Sequence, residues 1–528
     1  MQKRTKESAS KVDYRLLYKK QILDYLEALK SKDQSVWQMD EAMKRLFCIS
    51  DQVIPVCLSK LRENDEQLAP IICYALEFAN DFGVVEPLMD ILIMPNVSDK
   101  IKARILTVLT HYGIDAGELP LDMIMNDFDK IASDSMDEML DDIYQDPFLI
   151  PYILDDLYEF STEMKLAYIM DLATLKDERA ILFLEILASI HEPQVASYAI
   201  RALGQIKSGK ALYALEKLKG KISDDNLQNL VHRECQRLKF QGITEEVFEP
   251  WEKLMPPSKV YVSAIDGLGS RVLWIAWKNP YKSRKHCFMN IIMDINVGIK
   301  DCWGVSNSTV REFNASIKDF SKTMFVSQCD LDYAILLIND ALHLNKTKGR
   351  PIPYQFYFWK NLLEQHCGIK QQLYEPNFDD YDLDLIKNDK ECFKSTFDLY
   401  DSSFFSDWFI AHPRVYDYAE ENKSKRGYIL KKMTYKKMES LFSKFSGELI
   451  EPIADRIKRM LQLSADFLAK IGQDQVARAA LCAYLNMDIK PIYYHPFIQR
   501  MIIESIKVAL SNMKNGFDMR HNFRDFEQ

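Results

Sequence analysis

The clearest helical pattern in this chain lies in two stretches, KLAYIMDLATLKDERAILFLEIL (residues 165–187) and SYAIRALGQIKSGKALYALEKL (residues 197–218). Each holds an apolar stretch of helical period, a polar break and a second apolar stretch. In the second of them, Ala199, Ala202 and Leu203 have the i, i+3, i+4 spacing that places side chains on one face of a helix. Each stretch therefore predicts a hairpin of two helices with apolar faces.

The same unit recurs along the first half of the chain, with a period of about 31 residues. Leucines stand at equivalent positions of six successive units: Leu46, Leu76, Leu109, Leu140, Leu172 and Leu203. The residues fifteen positions after these leucines are Leu61, Ile91, Ile124, Asp155, Leu187 and Leu218. All of them except Asp155 are apolar. One hairpin cannot bury its own apolar faces, but stacked hairpins share a continuous core. The repeat therefore predicts an α-solenoid, and an irregular helical domain is the alternative.

These repeated hairpins resemble the HEAT-repeat family, in the short form of bacterial HEAT-like proteins. The resemblance covers about residues 36–241 and is strongest in the units that end within residues 164–220. It implies a solenoid fold and a tendency to bind other proteins, and it implies nothing about chemistry. The second half of the chain resembles no family.

The helical period ends at EPWEKLMPP (residues 249–257). The next run, KVYVSAIDGLGSRVLWIAWK (residues 259–278), alternates apolar and polar residues around a glycine-containing turn, and this predicts a β-hairpin. The run CFMNIIMDINVGI (residues 287–299) predicts a third strand. These strands indicate a small antiparallel sheet backed by helices.

Apolar residues then return to helical spacing. Helices are predicted within residues 308–320, 331–344, 433–445, 453–472, 475–486 and 497–513. The fold class is therefore mostly α: an N-terminal α-solenoid of helical-hairpin repeats, an α+β domain and a C-terminal helical segment. The predicted domains are a basic helical lead-in (1–35), a HEAT-like solenoid (36–250), an α+β domain (256–370), an acidic and aromatic connecting region (371–426), a helical segment (427–515) and a tail (516–528).

Composition and charge narrow the function classes. The 528 residues are 47% hydrophobic and contain only 17 glycines, which excludes collagen-like and wholly disordered chains. The first residues are basic and polar, without the apolar core of a secretory signal, and no stretch approaches the roughly 18 apolar residues of a membrane span. The ten cysteines form no C-x-x-C pair and indicate reduced thiols. A cytoplasmic protein without membrane association is predicted.

The net charge of −9 is unevenly distributed. Residues 51–200 contain 29 acidic and 9 basic side chains. Such a block repels nucleic acid and anionic membranes and favours basic protein surfaces. Within it, residues 122–146 hold five aspartates that we predict to bind a partner protein with a basic surface, which would make the chain a scaffold or adaptor: Asp127, Asp129, Asp137, Asp141 and Asp142. A solvated helix face is the alternative interpretation.

Two further functions remain open. Carboxylates near strand ends in residues 256–350 predict a metal-dependent nuclease or phosphoesterase that the solenoid recruits to its target, with candidate catalytic residues Asp266, Asp294, Asp301 and Glu312. Basic residues interleaved with tyrosines in residues 423–437 predict nucleic-acid binding through Lys423, Lys425, Arg426, Lys431, Lys432, Lys436 and Lys437. No motif predicts a cofactor, and isolated His–Cys pairs such as His286-Cys287 lack the second pair of a zinc site.

Overall fold

The computed structural model describes residues 14–30, 36–115, 119–222, 224–252, 254–282, 284–423 and 433–522. The chain divides into two compact units, Met1–Pro147 (unit 1) and Phe148–Gln528 (unit 2). The boundary between these units lies inside the stretch predicted as a solenoid.

The described residues of unit 1 form helices and the loops that join them. Its helices are α1 (Tyr14–Leu29), α2 (Val36–Phe47), α3 (Val53–Arg62), α4 (Ala69–Ala79), α5 (Val85–Leu92), α6 (Asp99–His111), α7 (Leu121–Ile124) and α8 (Phe128–Gln145). The repeat positions Leu46, Leu61, Leu76, Ile91 and Leu109 are all buried and belong to one hydrophobic core. The apolar spacing in this part of the sequence therefore identifies core positions correctly.

Unit 2 begins with six helices: α9 (Ile150–Glu159), α10 (Thr162–Leu175), α11 (Ile181–Ala188), α12 (Pro193–Gln205), α13 (Gly209–Lys219) and α14 (Asp225–Phe240). Local sequence explains where they start. The side chain of Ser161 caps α10 and that of Ser208 caps α13, and each accepts a hydrogen bond from a backbone N–H two or three residues ahead. Helix α11 is buried along its whole length, which agrees with a sequence that is apolar apart from Glu185, whose carboxylate lies 3.2 Å from Lys217 Nζ.

An antiparallel sheet follows. Its strands are β1 (Lys259–Ser263), β2 (Ser270–Lys278), β3 (His286–Asp294), β4 (Gly298–Ser308) and β5 (Val326–Gln328), in the spatial order β4-β3-β2-β1-β5. The predicted hairpin is confirmed as β1 and β2, which pair from Lys259 with Ala276 to Val262 with Leu273. The run 287–299, predicted as one strand, in fact contains β3, a turn and the start of β4.

Each face of the sheet is covered. Trp274, Ala276 and Phe288 pack with Phe313 on one face. On the other, the indole of Trp277 stacks on that of Trp359, with ring centroids 5.8 Å apart and an interplanar angle of 19°. Because both faces are buried, the central strands carry nearly continuous apolar sequence.

The remaining helices are α15 (Val310–Phe320), α16 (Leu331–Lys348), α17 (Tyr354–Leu363), α18 (Leu383–Asn388), α19 (Lys390–Ser395), α20 (Pro413–Glu421), α21 (Tyr435–Phe445), α22 (Ala454–Lys470), α23 (Asp474–Leu485), α24 (Pro496–Lys514) and α25 (Met519–Asn522). The six helices predicted from residues 308–513 are confirmed as α15, α16, α21, α22, α23 and α24. Three short helices, α18 to α20, lie in the stretch predicted as a connecting region.

The two outermost strands differ in length and regularity. Strand β5 has three residues and pairs only with β1. Strand β4 is longer, but its register against β3 shifts between Ile292 and Met293, where Lys300 is the extra residue on β4. Lys300 is exposed.

Candidate functional site

The predicted acidic residues of unit 1 lie on or next to helix α8. Asp127 is the N-cap, and its Oδ1 accepts a hydrogen bond from the backbone N–H of Lys130 at 3.0 Å. The helix itself contains six acidic residues and one lysine. Asp129 lies in its first turn, and its side chain is outside the described residues. Asp137, Asp141 and Asp142 are exposed.

The acidic side chains of α8 share one side of the helix. Asp134, Asp137, Glu138 and Asp141 have the i, i+3, i+4, i+7 spacing of one helical face, and Asp142 borders it. The opposite face is apolar, with Leu140 and Ile143 buried. We call Asp127, Asp134, Asp137, Glu138, Asp141 and Asp142 the acidic face of α8.

The negative charges of these carboxylates lie close enough together to affect one another. Partial burial raises the pKa of Asp142, and the neighbouring charges of Glu138 and Asp141 raise it further. A lysine of α6 offsets part of the charge, because Lys100 Nζ lies 3.0 Å from Glu138 Oε1. Between α4, α6 and α8 lies a groove of about 430 Å³, lined by both acidic and basic side chains including Glu66, Arg104 and Asp134.

Two of the four predicted catalytic carboxylates lie close together in unit 2. Asp266 Oδ1 accepts hydrogen bonds from the backbone N–H groups of Leu268 (2.9 Å) and Ser270 (2.8 Å). Asp294 Oδ2 accepts one from the hydroxyl of Ser270 at 3.1 Å. Burial and the charge of Asp294 raise the pKa of Asp266, although the two N–H groups oppose the shift. Both carboxylates thus stabilise turns at one end of the sheet.

The other two carboxylates lie elsewhere. Asp301 pairs with Ile292 on the outermost strand, and its Oδ1 accepts a hydrogen bond from its neighbour Cys302 N–H at 2.8 Å. Glu312 forms a capping box with Thr309 at the start of α15. That end of the sheet is where Ser308 pairs with His286, so Glu312 and Asp294 are separated by the length of β3, roughly 26 Å at about 3.3 Å per residue. The four carboxylates therefore do not meet at one point. Among the described residues, no group of three His, Cys, Asp or Glu side chains could hold a metal ion.

The predicted basic residues are only partly within the described chain. Lys423, Lys436 and Lys437 are exposed, and Lys423 and Lys437 line a groove of about 410 Å³ together with Lys444. Lys425, Arg426, Lys431 and Lys432 lie outside the described residues.

Sequence reasoning missed a cavity of about 360 Å³ in unit 2. It lies between the loop that follows α11, the C-terminal end of α16 and the start of α17. Its polar lining residues are His191, Glu192, Asn345, Lys346, Arg350, Tyr354, Tyr357 and Gln371. We call this cavity the His191 pocket. Its residues come from three distant parts of the chain, and no spacing within any one part marks them.

A buried lysine supports one wall of the His191 pocket. Lys165 Nζ lies 3.7 Å from Glu192 Oε1 and 4.7 Å from the centre of the Tyr354 ring. Tyr354 is 2% exposed, and its hydroxyl has no hydrogen-bond partner of good geometry among the described residues. Burial and the nearby Glu192 carboxylate raise the pKa of Tyr354. The phenol therefore stays protonated next to the Glu192 carboxylate.

The rim of the His191 pocket carries a neutral imidazole. Desolvation by the surrounding protein and the charges of Lys360 and Lys346 lower the pKa of His191. Its Nε2 lies 3.4 Å from the side-chain nitrogen of Gln371, and its backbone N–H donates a hydrogen bond to the hydroxyl of Tyr357 at 3.0 Å.

Comparison of this chain with protein-family models, curated proteins and solved structures found no match. Of the helices that the structure describes, none is both long enough and apolar enough to cross a lipid bilayer.

Proposed function

We propose that this protein is a cytoplasmic scaffold or adaptor, and that the acidic face of α8 binds a partner protein with a basic surface. In this proposal the repeated hairpins stack as a HEAT-like solenoid, which presents helices side by side to the partner.

The crowded carboxylates of α8 carry the proposal. The negative charges of Glu138 and Asp141 add to the effect of burial in raising the pKa of Asp142, and such repulsion destabilises the folded chain. A basic partner would relieve this repulsion and gain favourable Coulomb energy on binding. The wider charge distribution favours the same surface, since unit 1 contains 27 acidic and 17 basic residues, whereas unit 2 contains 50 and 51.

The test is charge reversal on the exposed part of the acidic face. The variant Asp137→Lys/Asp141→Lys/Asp142→Lys leaves the N-cap of α8 intact, because Asp127 is unchanged. Tagged full-length protein would be used to capture partners from its native cells in low salt, with and without nuclease. We expect to capture one protein partner in stoichiometric amount, whether or not nuclease is added. Its affinity should be at least tenfold lower for the variant than for wild type, and at least tenfold lower for wild type in high salt than in low salt.

A matched control carries the same change of net charge elsewhere on unit 1. Asp51, Glu86 and Asp90 are exposed and lie outside α8, so Asp51→Lys/Glu86→Lys/Asp90→Lys should keep the partner. Equal capture by wild type and the α8 variant would refute the acidic face as the binding surface. Loss of capture by both variants would show that only the overall charge matters.

A further inference from the structure

The His191 pocket has the size and the mixed lining of a ligand site. Cavities that bind small molecules in proteins range from about 300 to 1,000 Å³ and combine apolar walls with a few polar groups. Here Ile190, Leu342 and Ile352 supply apolar walls next to the polar side chains already described.

The charged side chains in and next to the pocket give it a net positive charge. Its one carboxylate, Glu192, faces the ammonium group of Lys165, so these two charges largely offset each other. Lys346 and Arg350 remain, and both are exposed where they line the cavity. Within the described chain, neither forms an ion pair, and this leaves two cations available to a ligand.

Tyr354 closes the wall of the cavity next to Glu192. Its hydroxyl is buried below the cavity surface, and the Glu192 carboxylate is close enough to raise its pKa. The contacts to a ligand therefore come from the two exposed cations.

We propose that the His191 pocket binds an organic phosphate monoester, whose dianionic group contacts Lys346 and Arg350. Charge matching favours a phosphate over a carboxylate, because two cations face the ligand and a phosphate monoester carries nearly two negative charges at neutral pH. Arginine suits this group because its planar fork pairs with two phosphate oxygens. The apolar walls would contact the organic part of the ligand.

The probes are AMP, glucose 6-phosphate, glycerol 3-phosphate and inorganic phosphate, each titrated calorimetrically into the full-length protein. Adenosine and glucose are the unphosphorylated counterparts. We expect at least one monoester to bind with a millimolar or lower Kd and its counterpart not to bind. Equal binding of inorganic phosphate would mean that the pocket recognises the anion alone. If none of the phosphates binds at 5 mM, the proposal is wrong.

Variants connect the binding to this pocket. Lys346→Gln/Arg350→Gln should weaken binding at least tenfold, and Lys346→Gln alone should weaken it about threefold to tenfold. Lys348→Gln is the matched control for Lys346→Gln, because Lys348 is exposed on the same last turn of α16 and does not line the pocket. Circular dichroism would check that each variant folds. Unchanged affinity in the double variant would place the phosphate site elsewhere.

Discussion

His495 begins helix α24 from a fully buried position. Its Nδ1 accepts a hydrogen bond from the backbone N–H of Phe497 at 3.2 Å, and its Nε2 lies 3.1 Å from the carbonyl oxygen of Ala483. Only the neutral ring protonated on Nε2 can satisfy both contacts, since a protonated Nδ1 has no lone pair to accept with. Burial lowers the pKa of His495 to about 4.

This imidazole should make stability fall in acid. Between pH 6.5 and pH 4 the unfolded chain binds a proton at His495 that the folded chain does not, so the free energy of unfolding decreases as the pH falls through this window. The shift from 6.5 to about 4 corresponds to about 3–4 kcal/mol at about 1.4 kcal/mol per pKa unit. The variant His495→Asn keeps a capping oxygen but has no imidazole. In urea unfolding, its free energy of unfolding should therefore decrease less between pH 7 and pH 4 than that of wild type.

The matched control for His495→Asn is His412→Asn. His412 caps α20 through the same Nδ1 contact, to the N–H of Arg414 at 3.1 Å, but it is exposed. Its replacement should leave the pH dependence close to that of wild type. If both variants lose the acid effect equally, burial of His495 is not its cause.

At the scale of secondary-structure elements, β4 and α17 meet where Gly304 lies under Trp359. A methyl group on Gly304 would overlap the indole of Trp359, which is itself held against Trp277. Gly304→Ala should therefore displace α17 from the sheet and lower the free energy of unfolding by about 1–3 kcal/mol. Gly368→Ala, where a methyl group would have open space, is the control. Equal denaturation midpoints for the two variants would contradict this account.

Sequence predicts those elements whose pattern is visible within a short stretch of the chain. Helices with apolar residues at helical spacing were found, because that pattern is local. The β3–β4 turn was not predicted, because its turn residues lie inside an apolar run. In the structure, Asp294 Oδ1 accepts a hydrogen bond from Asn296 N–H at 2.7 Å, and Gly298 has a φ of 96°. Asp, Asn and Gly are residue types typical of turns. Strand β5 has three residues, too few for any alternation to show.

The candidate sites follow the same rule. The acidic residues of α8 are neighbours in sequence, so their shared face was predictable. The lining of the His191 pocket combines Glu192 with Arg350 and Tyr354, and Lys165 packs behind it. Only tertiary packing brings these parts of the chain together. Sequence nearness was misleading for Asp294 and Glu312. Asp294 ends β3, whereas Glu312 lies in α15 beyond the other end of that strand, where His286 pairs with Ser308.

At the scale of the whole molecule, each unit has buried apolar residues of its own. Leu109 is buried in unit 1 and Leu203 in unit 2. Compact units with separate cores unfold as separate cooperative steps. Calorimetry should therefore show two transitions. Leu109→Ala and Leu203→Ala, each costing about 2–5 kcal/mol, should each lower only the transition of its own unit. A single transition shifted by both substitutions would show that the units unfold together.

The outermost strands of the sheet also bear on how the protein behaves when it is concentrated. A second copy that adds itself as a sixth strand needs a long, regular row of free backbone N–H and C=O groups. Strand β5 offers three residues, and the extra residue in β4 interrupts its row and points a lysine charge outward. Edge-to-edge addition of a second copy is therefore disfavoured at both borders of the native sheet, so fibril growth through this sheet should be faster once it has opened.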